Sequence, residues 1–167
     1  MGLDNMPHRY PCERLGTAIK VDIIDKEGNP LLDDATGLPE KRIDCEATIK
    51  AELCPYVLAK KKSGTVGGEV YGILGTECWY RGKYGNYLLE ALGIHDNESH
   101  NFYGDDDDGS YKSPQSCRYL AEAMEEALHE KSGVVMLEGQ DVSVDVKHAI
   151  WYLRWVADNC SGMDAWY

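Results

Sequence analysis

Asp145-Val146-Lys147-His148-Ala149-Ile150-Trp151-Tyr152-Leu153-Arg154-Trp155-Val156-Ala157-Asp158-Asn159 is the stretch on which the fold turns. Val146, Ala149, Ile150, Leu153, Val156 and Ala157 recur at the spacing of one helix face, and Trp151 and Trp155 lie four apart beside that stripe. A helix carrying so many large apolar groups has to be covered, so it is expected to run through the core. Working back along the chain, Ser113-Pro114 opens a second helix. A serine cap satisfies an orphan amide, and proline in the first turn has none to satisfy. Cys117, Leu120, Ala121, Met124 and Leu128 share its apolar face, Glu122, Glu125, Glu126 and Glu130 the opposite one, and Gly133 stops it. A third helix is read from Tyr84, Tyr87, Leu88 and Leu92, with Gly93 as its stop. A short fourth is capped by Asp44, runs through Leu53 and is ended by Pro55.

Extended pieces lie between these helices. Thr17 to Ile24 alternates in polarity, Glu69 to Leu74 is a buried-strand pattern, and Val134 to Leu137 is short and apolar. Lys60 to Gly68 and Leu31 to Pro39 read as loops, residues 1–16 as an irregular arm, and residues 94–112 as a long acidic loop. The expectation is one α+β domain spanning 1–167. Its small sheet is drawn from the Thr17, Val70 and Val134 regions and packed by about three to four helices.

The chain has 167 residues and a formal net charge of -12, from 29 acids against 17 lysines and arginines. That balance disfavours generic binding to nucleic-acid backbones and to anionic membranes. No apolar run reaches the roughly 20 residues that span a bilayer, and no leader pattern opens the chain, which implies a cytoplasmic protein. Six cysteines in such a setting are thiols or metal ligands before they are disulfides. His8, Cys12, Cys45 and Cys54 form the candidate metal set, for a structural zinc, because soft sulfur and imidazole donors suit tetrahedral zinc. Small buried thiols are the alternative reading, and the set contains no close cysteine pair. Asp105-Asp106-Asp107-Asp108-Gly109 fails the calcium-loop pattern, since Gly104 falls at the first ligand and Gln115 where a bidentate glutamate belongs. It reads as an acidic turn.

The candidate ligand site is Trp79, Tyr80, Arg81, Lys83, Tyr84 and Asn86. Aromatic faces can stack a ring, Arg81 and Lys83 can hold an anionic group, and Asn86 can read a polar edge. Gly82 and Gly85 let other atoms approach the backbone at the head of a helix whose free amides favour anions. Core packing of the same rings, with Arg81 paired to an acid, is the competing reading. Hydrolase, Walker, Rossmann and zinc-protease signatures are missing, so a non-enzymatic role is favoured.

Met1-Gly2-Leu3-Asp4, Cys78-Trp79-Tyr80-Arg81-Gly82-Lys83 and the late acidic loop together resemble a group of small proteins of bacteriophages and their prokaryotic hosts. Asn5 and the cysteine-rich early half depart from that pattern. The resemblance implies a phage accessory or counter-defence setting in a host cytoplasm, and no particular activity. The leading expectation is a binding protein for an anionic, ring-bearing, nucleotide-like small ligand. An acidic protein-interaction or inhibitor module, facing a basic host protein, is the alternative. A phosphoester hydrolase with a metal held by the His95 to Asp108 loop is the third. Oligomeric state is not legible.

Overall fold

The computed structural model describes residues 3–8, 10–63, 73–74, 79–80, 82–95 and 100–166, without the side chains of residues 60, 61, 63, 73, 74 and 79. In chain order the elements are β1 (Asp4–Pro7), α1 (Pro11–Arg14), β2 (Lys20–Asp22), β3 (Lys41–Ile43), α2 (Cys45–Lys50), α3 (Pro55–Ser63), β4 (Ile73–Leu74), β5 (Trp79–Tyr80), α4 (Gly82–Leu92), β6 (Tyr111–Lys112), α5 (Pro114–Glu130), β7 (Met136–Leu137), β8 (Gln140–Asp141), α6 (Ser143–Asn159) and β9 (Met163–Trp166). The α+β expectation holds.

The helices follow their local signals. Ser113 Oγ accepts from the Ser116 amide at 3.1 Å and Asp44 Oδ1 from the Ala47 amide at 2.8 Å, the two caps that the sequence implied. α6 begins three residues before the apolar stripe, at Ser143, and is buried almost all round. Val146, Ala149, Leu153 and Val156 are sealed, as are Cys117, Leu120, Ala121 and Met124 of α5, the helix that α6 packs against most extensively, while Tyr152 stacks on Tyr80 of β5. Pro55 departs from expectation. It opens α3 instead of only closing α2, because a proline without an amide is as well suited to the first turn of a helix as to the end of one.

The sheet is where the sequence reading must be corrected. Its order is β4-β5-β1-β9-β6, with every described pairing antiparallel. The central strand is β1, in the segment read as an irregular arm, and its neighbour β9 was not anticipated. Asn5 stands opposite both Tyr80 and Ala165. Of the expected strand regions, only the one ending at Leu74 contributes, through Ile73–Leu74, and its residues 69–72 lie outside the described residues. The Thr17 region forms a separate ribbon with β3, and the Val134 region a small β7-β8 hairpin. Strands of two to four residues are too short to display a period, and proline hides β1 further. Tyr111–Lys112, inside the expected acidic loop, supplies the edge strand β6.

One part of the chain stands outside this body. No residue from Glu13 to Ala47 is buried. It begins and ends at one point, where the Asp44 amide donates to the Ile19 carbonyl at 2.8 Å. From there β2 and β3 form a stem, and beyond Ile23 the ribbon forks around Pro30-Leu31-Leu32. The Leu31 amide donates to the Ile23 carbonyl, and the Glu40 amide to the Leu31 carbonyl. Two tight turns make the lobes of the fork. Asp25 Oδ1 accepts from the Glu27 and Asn29 amides, while Asp33 Oδ1 accepts from the Ala35 and Thr36 amides and the Thr36 hydroxyl. Gly28 at φ +88° and Gly37 at φ +68° supply the left-handed backbone that closes each turn.

Candidate functional site

The expected ligand cluster divides between interior and surface. Tyr80 is fully buried and its ring is sandwiched between Phe102 (centroids 5.1 Å apart, planes at 17°) and Tyr152 (5.0 Å, 20°). It is a core ring and cannot line an open pocket. β5 turns Tyr80 inward because its register partner on β1, Asn5, faces the same interior. Burial, helped by the charge of Asp145, pushes the Tyr80 phenol far above its ordinary value. The Asn86 side chain is likewise engaged inward, its Oδ1 accepting from the Phe102 amide at 2.9 Å.

Gly82 and Gly85 are close-approach glycines, as read, but the approaching atoms belong to the protein itself. A Cβ on Gly82 would lie 2.0 Å from Asn5 Oδ1, and one on Gly85 would lie 2.5 Å from the Phe102 ring. The start of α4 is therefore pressed against β1 and Phe102. Lys83 and Tyr84 are on the outer side. Lys83 is exposed with Nζ 5.9 Å from the centre of the Tyr87 ring, and Tyr84 is half-buried against the same ring. Arg81 and the Trp79 side chain lie outside the described residues.

The metal set is not brought together. His8 Nδ1 lies 2.8 Å from Asp164 Oδ1, across the β1-β9 pair, with the Tyr111 ring edge-on at 5.3 Å. Cys12 and Cys54 are buried near one another, and burial and the neighbouring thiol both push the Cys12 thiol upward, away from the thiolate that zinc requires. Among the described residues no three histidines, cysteines or acids are grouped to hold a metal ion. The His8–Asp164 pair escaped the sequence reading because its partners are 156 residues apart and β9 gave no signal.

The acidic loop is a structural element. Asp105 accepts from Lys112 Nζ at 2.7 Å and from the Ser113 amide at 2.9 Å, and Asp106 accepts from the Tyr111 amide and the Ser110 hydroxyl. Burial alone would raise the Asp105 carboxyl. The bonds from Lys112, Ser113 and Ser116 outweigh it and hold the group below the usual carboxylate range. Lys112 is completely buried, so this pair fastens β6 at the sheet edge. Its neighbour Cys117 is pushed up to about 12, chiefly by burial, and is an inert core thiol.

Two surfaces remain. A groove of about 680 Å³ at the start of α5 is lined by Ser113, Pro114, Gln115, Arg118, Tyr119 and Glu122. Tyr119 is half-exposed there beside the His100 ring, and Arg118 is paired with Asp158 at 2.8 Å. The other surface is the ribbon of residues 20–43, which carries exposed Ile24, Leu31, Leu32 and Leu38. No described helix is long and apolar enough to cross a membrane. Compared with protein-family models, curated proteins and solved structures, the chain matches none.

Proposed function

We propose that this chain is a non-enzymatic protein-interaction module that presents an acidic surface to a basic partner protein. The observation that carries the reading is the net charge of -12 together with the engagement of five of the 17 cations inside the molecule. Lys112 is buried against Asp105, while Lys20, Lys41, Arg118 and Arg154 are each paired with a carboxylate, to Glu13, Asp22, Asp158 and Glu125. Those cations are already engaged within the molecule and are not free to offset acids elsewhere. Glu122, Glu126 and Glu130 on the outer face of α5, and most of the Asp105–Asp108 loop, are exposed. A surface of one sign steers an oppositely charged partner and sets the association rate more than the final affinity.

The test is binding to basic probes, cytochrome c and oligolysine, as ionic strength is raised from about 0.02 to about 0.3 M, a range over which screening shortens from roughly 20 Å to about 6 Å. Association that weakens steeply with salt is expected. No association with either probe at low salt would reject the reading.

A second reading keeps the anionic, ring-bearing ligand and moves it to the groove at the start of α5, where the exposed Tyr119 ring, Arg118 and Gln115 converge. A nucleotide that raises the melting temperature of the protein, with the rise lost in Arg118→Ala, would favour it. A role as a phage accessory or counter-defence protein is a finer proposal, supported by the sequence resemblance alone.

A further inference from the structure

We infer that the forked lobe of residues 24–40 is the docking element of this protein, a key that inserts exposed leucines into an apolar groove rimmed by basic residues on a partner protein. This rests on the reading of the chain as a protein-interaction module, and adds which surface is used and what it recognises.

Charge is the first argument. Within the lobe five carboxylates, Asp25, Glu27, Asp33, Asp34 and Glu40, stand against the single cation Lys26. Among the described residues none of those five is in an ion pair. The two stem lysines are different, since Lys20 lies 2.8 Å from Glu13 and Lys41 lies 3.6 Å from Asp22. Both stem lysines are thus neutralised where the ribbon joins the body, leaving Arg42 as the stem's exposed cation, and negative charge is left open at its far end. A second copy of the same lobe would be repelled, whereas a basic surface would be attracted.

Apolar exposure is the second. Ile24, Leu32 and Leu38 are 62%, 57% and 65% exposed on one short lobe, and nothing in the 35 residues from Glu13 to Ala47 is buried. Single exposed leucines are ordinary on a protein surface, but several on one projecting lobe mark a surface made to be covered. The body does not cover them, because the lobe hydrogen-bonds within itself and the fork ends in tight turns.

The way a partner could engage is narrowed by two prolines. Pro30 and Pro39 occupy the bridge positions opposite Ile24 and Leu32. Proline offers no amide to an added strand, so the lobe is poorly suited to edge-to-edge pairing. Side chains, not backbone, must make the contact. Aspartate-capped turns preset the lobe's shape, so that little ordering cost falls on binding.

The experiment uses the full chain and two synthetic probes of equal positive charge, a helical peptide alternating leucine and lysine faces and an oligolysine. The leucine-bearing peptide is expected to bind about 10-fold more tightly, and Leu32→Ser with Leu38→Ser to remove that advantage without lowering the melting temperature. Glu122→Gln with Glu126→Gln on α5 should weaken both probes alike and leave the advantage of the leucine-bearing peptide in place. Equal affinity for the two probes, or loss of that advantage in the α5 variant with none in the lobe variant, would overturn the docking role and leave the acidic-module reading standing. Failure of both probes to bind at low salt would reject that reading as well.

Discussion

The α5-α6 pair and the ribbon of residues 20–43 are held in shape by opposite means. In α6 ten of 17 residues are buried, and Leu153 and Val156 share one apolar core with Leu120, Ala121 and Met124 of α5. The ribbon buries nothing, yet it holds a defined path through backbone pairs and two aspartate caps. Apolar packing fixes the first region and local hydrogen bonding the second. A region of the second kind contributes little to global stability and is free to be shaped by what it touches.

Removing packing should therefore expose the contrast most sharply. Leu153→Ala, at a fully buried site, is expected to cost about 3 kcal/mol and lower the melting temperature by roughly 6–12 °C, read by calorimetry. An effect below about 1 kcal/mol would mean that α6 is not the centre of the core. Gly85→Ala comes next, because its methyl would enter the Phe102 ring; about 2 kcal/mol is expected. Should Gly85→Ala leave stability intact, the close fit between α4 and Phe102 is wrong, and the head of α4 returns as an open ligand site.

Excising residues 20–43 and joining Ile19 to Asp44 through a short glycine-serine link is expected to change stability by no more than about 1 kcal/mol, since those two residues already share a hydrogen bond. Collapse of the fold on excision would erase the distinction between the regions. The smallest effect is on the turns themselves. Hydrogen bonds, from the Asn29 amide at Asp25 and from the Thr36 hydroxyl and amide at Asp33, hold both carboxyls below their ordinary range. A depressed folded-state value contributes stability that is present above the unfolded value, near 3.9, and is lost as pH falls through and below it. Amide exchange at Asn29 and Thr36 should therefore quicken below about pH 4, ahead of exchange in α6. Simultaneous loss in both regions would show that the ribbon is not an independent unit.

The long helices were legible because each repeats its signal over several turns. Ser113-Pro114 and the stripe from Val146 to Ala157 needed no tertiary information to be placed. The sheet was not legible, since β1 and β9 are four residues each and are identified only by one another. The aromatic and glycine-rich segment was legible in chemistry but not in direction. Its glycines do admit close neighbours and its rings do stack, yet Tyr80 stacks on Phe102 and Tyr152, and the neighbours are Asn5, Leu3 and Phe102. The exposed leucines of the ribbon were passed over as a loop, because nothing local distinguishes a leucine that will be covered from one that will not.

By itself, then, the order of residues determined the long helices, the Ser113 and Asp44 caps and the excess of acid, all of which depend on composition or on groups within a few positions of one another. Only the tertiary structure decided that the opening segment is the middle of the sheet, that Lys112 is inside and Leu38 outside, and that His8 meets Asp164 instead of Cys12. Those outcomes depend on which distant surfaces exclude water from each other, and that competition is settled across the whole chain at once.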